Sequence, residues 1–576
     1  MCQAKAGVFP HPSAAHAGVT LWSRQNGPGI ARLCYPSRMH DLAYLRFLPL
    51  FILMLCVPLG IYLAPSMPFW GGLILGAGAL GSSIGIYDLI QSRHAVLKNY
   101  PVLARIRFLL EGIRPEIRQY FLESDHEEVP FSREQRALVY QRAKNLEGLR
   151  PLGSLKNQQE VGHEWINHSI APTHIDNADF RVAFGRDSCA KPYNSSILNI
   201  SAMSYGALSP NAIEALNGGA QAGGFAHTTG EGSISRYHRR PGGDLIWQIG
   251  SGYFGCRTAD GRFNPDAFAA AAASDKVRMI EIKLSQGAKP GHGGILPGKK
   301  VTEAIAEARG VPVGVDCISP TTHSAFSTPL ELIAFIDRLR DLSGGKPVGM
   351  KICVGHPWEL FAIAKAMIET GSGPDFITVD GAEGGTGAAP VEFADHIGAP
   401  LREGLMLVHN TLTGLGLREN TRIVASGKLI SAFDIARICA LGADSCNLAR
   451  GFMFALGCIQ AQTCHSGKCP TGVTTQDPAR YRALDVADKS RRVANFHACT
   501  IRALKETVGA SGLAHPSDLS PHHLMMRISS REVRSAASQY EWLEPGALLA
   551  KKSAHPAFRK FWDMARPDSF AAVAPA

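Results

Sequence analysis

Over its first hundred residues the hydrophobic pattern of this chain is continuous rather than periodic. Positions 47–64 and 69–87 carry no charged side chain, and each run has about the ~20 residues that cross a ~30 Å hydrocarbon core. Between them Ala64-Pro65-Ser66-Met67-Pro68 reads as a tight turn. The pattern predicts a transmembrane helical hairpin over 46–90, with Gly71, Gly72, Gly76, Gly78 and Gly81 suited to close membrane helix packing. A buried hairpin in a soluble core is the alternative. Arg24, Arg32, Arg38 and Arg46 precede the runs, and Arg93, Lys98, Arg105, Arg107 and Arg114 follow them. That bias puts both ends on the cytoplasmic side of the inner membrane. Residues 1–45 read as a disordered basic terminus.

From 91 to 190 the pattern turns amphipathic and charged, as in Arg114-Pro115-Glu116-Ile117-Arg118 and Ser132-Arg133-Glu134-Gln135-Arg136. This predicts a helical connector whose charges form a solvated face, with no nucleic-acid role. Beyond it, short β-rich runs recur at 197–201, 225–228, 245–249, 279–284, 348–354, 376–379, 422–425 and 445–448. Helical periodicity fills the intervals, and a long excursion at 286–343 breaks the spacing. Eight such runs, followed at nearly every end by polar and Gly-rich residues, predict an α/β fold, a (β/α)8 TIM-type barrel over 191–515 with the excursion at its catalytic rim. A doubly wound open sheet is the alternative. Residues 516–576 form a C-terminal extension.

Composition adds little to this picture. The chain has 576 residues, 45% of them hydrophobic, a net charge of +10 and 13 cysteines; it is a folded protein with too few cysteines for a disulfide scaffold. Much of the basic excess is topological. The clustering of the cysteines matters more: Cys458, Cys464 and Cys469 lie within twelve residues, the last followed by Pro470. The adjacency of Cys464 and His465 disfavours zinc, whereas three soft ligands suit an iron–sulfur cluster, a three-iron one by ligand count. Unligated buried thiols are the plain alternative.

Ser426-Gly427-Lys428 follows the seventh run, and Gly442-Ala443-Asp444 and Ala449-Arg450-Gly451 flank the eighth. Loops after strands 7 and 8 form the usual barrel phosphate site, so Ser426, Gly427, Gly442, Ala449 and Arg450 are expected to hold a phosphorylated cofactor. Further Gly-rich strand ends carry Met203, Ser204, Thr229, Asp380 and Gly381, where backbone can approach a flat ring. Lys351, inside an apolar run, is costly to bury without an electron-rich partner such as a flavin. Its alternative is an internal salt bridge, and that of Glu231 is a loop cap.

Taken together these residues resemble the FMN-binding synthase domain of glutamate synthases, in particular short membrane-anchored bacterial forms. The resemblance spans about 195–510 and is carried by 201–209, 229–233, 280–298, 380–390 and the cysteine triplet with Thr471-Gly472-Val473-Thr474-Thr475-Gln476. It implies FMN in the barrel, a [3Fe-4S] cluster on Cys458, Cys464 and Cys469, and 2-oxoglutarate near Lys283, Gln286 and Lys289, with Glu231 on the amine path. His292 and Ile295 depart from the Glu and Gln of full-length relatives, which opens the identity of the 2-oxo acid. The chain is expected to work without its own glutaminase domain. Cys2, in the position of an amidotransferase nucleophile, lacks the surroundings that role needs. Ammonia then comes from solution or a separate glutaminase subunit, and electrons from a ferredoxin or flavoprotein. A membrane-tethered electron-transfer module without synthase activity, or a barrel that only binds a ligand, are the readings from other classes.

Overall fold

The computed structural model describes residues 43–574, except 128–129, 147, 178, 186–187 and 551–555; the expected disordered terminus lies almost wholly outside the described residues. Two compact units divide the chain, 1–122 and 123–576.

In the first unit, α1 (Leu48–Leu63) and α2 (Pro68–Ile90) form an antiparallel pair. Both are long and apolar enough to cross a membrane, the first counted from Tyr44. Glycine lets the backbones meet. A Cβ on Gly71 would stand 2.4 Å from the Ala64 nitrogen, and one on Gly60 2.5 Å from that of Leu75. Gly78 and Gly81 also face α1, but Gly72 and Gly76 point into open space, so the seam uses only part of the glycine set. Helix α3 (Leu103–Ile117) follows.

The second unit is built around a closed barrel of eight parallel strands: β1 (Leu198–Ile200), β2 (His227–Thr228), β3 (Leu245–Ile249), β4 (Val277–Lys283), β5 (Val348–Ile352), β6 (Phe376–Asp380), β7 (Arg422–Ser426) and β8 (Ser445–Leu448). Each coincides with a run read from the sequence. Every residue of β3, β5, β6 and β8 is buried, so apolar or small residues fill most of their positions without strict alternation, the exceptions being Gln248, Lys351, Thr378, Asp380 and Asn447. Trp247 turns outward onto Phe268, so its neighbour Gln248 turns inward. There it donates to Glu281, which also accepts from Thr378. The interior is thus polar, bridged across β3, β4 and β6.

The expected helical connector is helical only as far as Ala143, the end of α4 (Arg133–Ala143). A capping box of Ser132 and Gln135 starts that helix. Farther on, Arg181–Phe184 pairs with Tyr193–Ser196, and this hairpin closes the N-terminal mouth through Arg422 Nε to Ala183 O and Lys191 N to Gly345 O. The C-terminal extension is equally structural. Leu524–Arg527 pairs with Glu164–Ile166, while Lys365 Nζ donates to the carbonyls of Trp562 and Ala565, 2.8 Å each.

Candidate active site

The 284–347 excursion leaves β4 at the C-terminal rim and folds back as a small antiparallel pair, Ile295–Leu296 with Cys317–Ile318, and a helix Glu303–Arg309. Under it lies a pocket lined by Glu231, Lys283, Gln286, Lys289, His292, Ser319 and His323, among others. All four side chains expected to act on substrate therefore share one cavity. Lys283, the last residue of β4, places its ammonium 2.8 Å from Glu231. Burial pushes the Glu231 carboxyl up, but Lys283, with Arg309 and Lys289 behind it, outweighs this and holds it below its ordinary value. Gly250 makes room: a Cβ there would stand 2.7 Å from Glu231 Oε2.

Lys289 Nζ donates to Gly293 O at 3.2 Å and makes no ion pair among the described residues. Burial, then the neighbouring Lys283, draws its pKa down. His323 is a site residue the sequence reading missed. Its Nε2 meets the Lys283 carbonyl at 2.9 Å and its Nδ1 the Tyr253 hydroxyl at 3.1 Å, and burial draws its pKa down. The polar run Ser319-Pro320-Thr321-Thr322-His323 inside the excursion was the only available signal.

Across the barrel mouth, Lys351 lies 3.3 Å from Asp380, the internal salt bridge held open as its alternative. The other Asp380 oxygen accepts from Gly287 N at 2.7 Å. Chains approach closely here: a Cβ on Gly287 would fall 1.8 Å from Gly381 O, and one on Gly230 2.6 Å from Ser204 N, beside Met203. Thr229 is fixed by Gln248 N donating to its hydroxyl. Gly381 N donates to Ser426 O, and Ser426 Oγ lies 3.3 Å from Ser201 Oγ. Next to this floor, Arg450, directly after Ala449, donates to Glu383 O and lies 4.5 Å from the Phe131 ring centroid. Burial pulls its pKa down to about 10 against the opposing pull of Asp380 and Glu383.

Gly442 does not join this group. It precedes β8, so it sits at the N-terminal mouth, where its carbonyl accepts from Arg418 and its Cα faces His409. A strand's length separates it from Arg450.

Cys458, Cys464 and Cys469 line a single pocket with Thr471 and Thr474. Gln460 N donates to Cys458 Sγ at 3.5 Å, and α4 buttresses the loop through Tyr140 OH to Cys458 O at 2.6 Å. Burial pushes the Cys458 thiol up to about 11. For Cys469 burial is outweighed by hydrogen bonds from Thr471 and Thr474, and its thiol is drawn down to about 7. Among the described residues no three His, Cys, Asp or Glu side chains converge on one metal ion.

A family model describing the conserved region in glutamate synthase matches residues 159–514. The chain belongs to the glutamate synthase family. It is 38% identical over 484 residues to the glutamate synthase large subunit-like protein YerD of Bacillus subtilis, covering 77% of this chain and 92% of that one. To an archaeal-type glutamate synthase [NADPH] of Thermotoga neapolitana it is 38% identical over 313 residues, 54% of this chain and 58% of the relative. A glutamate synthase large subunit-like protein of Rhizobium meliloti is 31% identical over 367 residues, 61% of this chain and 79% of the other. The family match begins near the strand Glu164–Ile166, well ahead of the barrel, in the region read from sequence as a connector.

Proposed function

We propose that this glutamate synthase family member is a membrane-tethered oxidoreductase that reductively aminates a 2-oxo acid, most simply 2-oxoglutarate to glutamate. The observation that carries the reading is the pocket in which Glu231 and Lys283 neutralise each other beside a lysine, Lys289, with no carboxylate partner among the described residues. A dicarboxylate substrate in a half-buried cleft needs such a cation, because an unpaired carboxylate there would be expensive. Lys289 binds that carboxylate, Gln286 donates beside it, and Glu231 accepts a proton from the incoming amine. His323 holds the Lys283 backbone in place through its Nε2.

FMN fits the barrel mouth. Thr228 Oγ1 and Asn447 Oδ1 are buried and have no hydrogen-bond partner among the described residues, on inward-facing strand positions, and Gly427, at φ +156°, leaves a cradle beside Gly381. Ser426, Gly427, Ala449 and Arg450 would hold the phosphate, with Lys351 and Asp380 near the ring and Met203, Ser204, Thr229 and Gly381 against it. Bound there, the flavin supplies the hydride that reduces the imino acid. The three thiols suit a [3Fe-4S] cluster, since their spacing in one pocket does not serve a single tetrahedral ion. Electrons come from a separate ferredoxin or flavoprotein and ammonia from solution or a separate glutaminase subunit, and the barrel faces the cytoplasm.

The test is anaerobic. Photoreduced protein should regain oxidised-flavin absorbance when 2-oxoglutarate and ammonium are added together, and not with either alone. Failure with every 2-oxo acid tried would leave an electron relay and refute the synthase reading.

A further inference from the structure

The charges after α2 suggest a solvated helix, yet α3 exposes an apolar face. Leu103, Ile106, Leu109, Leu110 and Ile113 are each between 41% and 63% accessible, and at about 100° per residue they fall within an arc of roughly 120°. Tyr120, Phe121 and Leu122 extend the exposed apolar surface into the next turn. Arg107, which also pairs with Glu111 at 2.9 Å, and Arg114 lie along one flank of the arc, and Arg118 follows in the continuing turn. Residues 91–122 hold six Lys and Arg against two Glu.

The start of this helix is locked to the end of α2. Asp88, fully buried, accepts from Arg105 Nη2 at 2.6 Å and from Val102 N at 3.0 Å. Val102 has φ +66°, a conformation a β-branched residue adopts only under constraint, and Leu103 N closes the turn onto Pro101 O at 2.7 Å. The direction in which α3 leaves α2 is therefore fixed.

We propose that α3 is an interfacial helix in the headgroup layer of the membrane that α1 and α2 cross, its apolar arc among the acyl chains and its arginines on anionic phospholipid headgroups. This rests on the membrane reading of the hairpin. The second of two apolar spans ends twelve residues before α3 begins, and a basic flank beside an apolar arc is the combination that anionic lipid surfaces bind.

The experiment uses full-length protein reconstituted into vesicles of phosphatidylcholine, alone or with phosphatidylglycerol, and follows amide hydrogen exchange by mass spectrometry. Exchange over 103–117 should be about a hundredfold slower with phosphatidylglycerol, the size expected for three arginines near the surface. Arg107→Gln/Arg114→Gln/Arg118→Gln should lose that difference while protection over 48–90 stays. Equal exchange in both lipids, or protection unchanged in the variant, would assign the face to a protein and overturn the inference. Protein that does not float with vesicles overturns both this inference and the hairpin reading; flotation without protection of α3 overturns this one alone.

Discussion

The ammonium of Lys283 stands 2.8 Å from the carboxylate of Glu231, so the pair enters the pocket as one neutral unit. Two consequences separate the lysines. Lys289→Met should raise KM for the 2-oxo acid about 10- to 100-fold, the worth of a charge-assisted hydrogen bond, with flavin and iron contents unchanged. Lys283→Met should instead cost about 1 to 2 kcal/mol of stability by leaving the partly buried Glu231 without its ion-pair partner, and abolish turnover. Urea unfolding checks this, and adding Glu231→Gln should recover most of the loss.

Cofactor content tests the loops independently of turnover. Purified protein should be yellow and release FMN rather than FAD, since the glycine-lined mouth offers one phosphate site. Gly427→Val, at φ +156° and with Leu401 Cβ 3.3 Å from the added atom, should be colourless while still folded, as read by absorbance and circular dichroism.

Anaerobic protein should carry about three irons per chain by the ligand argument, and Cys464→Ser should lose them while keeping FMN. Cys2→Ala should change neither. Zinc in native protein by elemental analysis would contradict this.

Acid should unfold the barrel through histidine. Burial lowers the pKa of His227 and His497 to about 3 and of His409 to about 4, and His238 falls well below its ordinary value. Each binds a proton in the unfolded chain near pH 6.5 but not in the fold, so stability is full above that pH and drains as pH falls toward the folded values. The slope is about 1.4 kcal/mol per pH unit per histidine. Urea midpoints at pH 7, 6 and 5 should drop steadily, and His497→Gln, which keeps a partner for Ser196, should flatten the decline.

Deletion of residues 1–122 should give a soluble protein, because 123–576 is a compact unit of its own. Deleting only about the first 95 should leave a form that still sediments with membranes or aggregates, since Leu109 and Phe121 stay exposed. Ultracentrifugation without detergent distinguishes the two.

All eight barrel strands were legible because buried parallel strands such as 376–380 write a mostly apolar run, broken only by Thr378 and Asp380, ahead of a Gly-rich end. The cysteines and Arg450 were legible because chemistry and chain proximity coincide there. Gly442 was misplaced for the converse reason: it is three residues from β8 in sequence but a barrel's depth from the C-terminal rim, which composition cannot show. His323 lies in an excursion without periodicity, and its partner Tyr253 is seventy residues away. The pairing of 164–166 with 524–527 leaves no local trace at either end. Gly72 and Gly76 look like the packed glycines beside them because helix phase, not residue type, decides which face the seam.

Glu164 is shared between Arg402 and Arg437, at 2.5 and 3.1 Å, in a strand completed by residues from the far end of the chain. The two termini of the second unit are thus sewn to each other over the barrel's flank. Chimaeras between relatives should therefore exchange both ends together: swapping the region around 164 without its partner at 524–535 would pair mismatched strands and strand two arginines, however faithfully the barrel itself were kept.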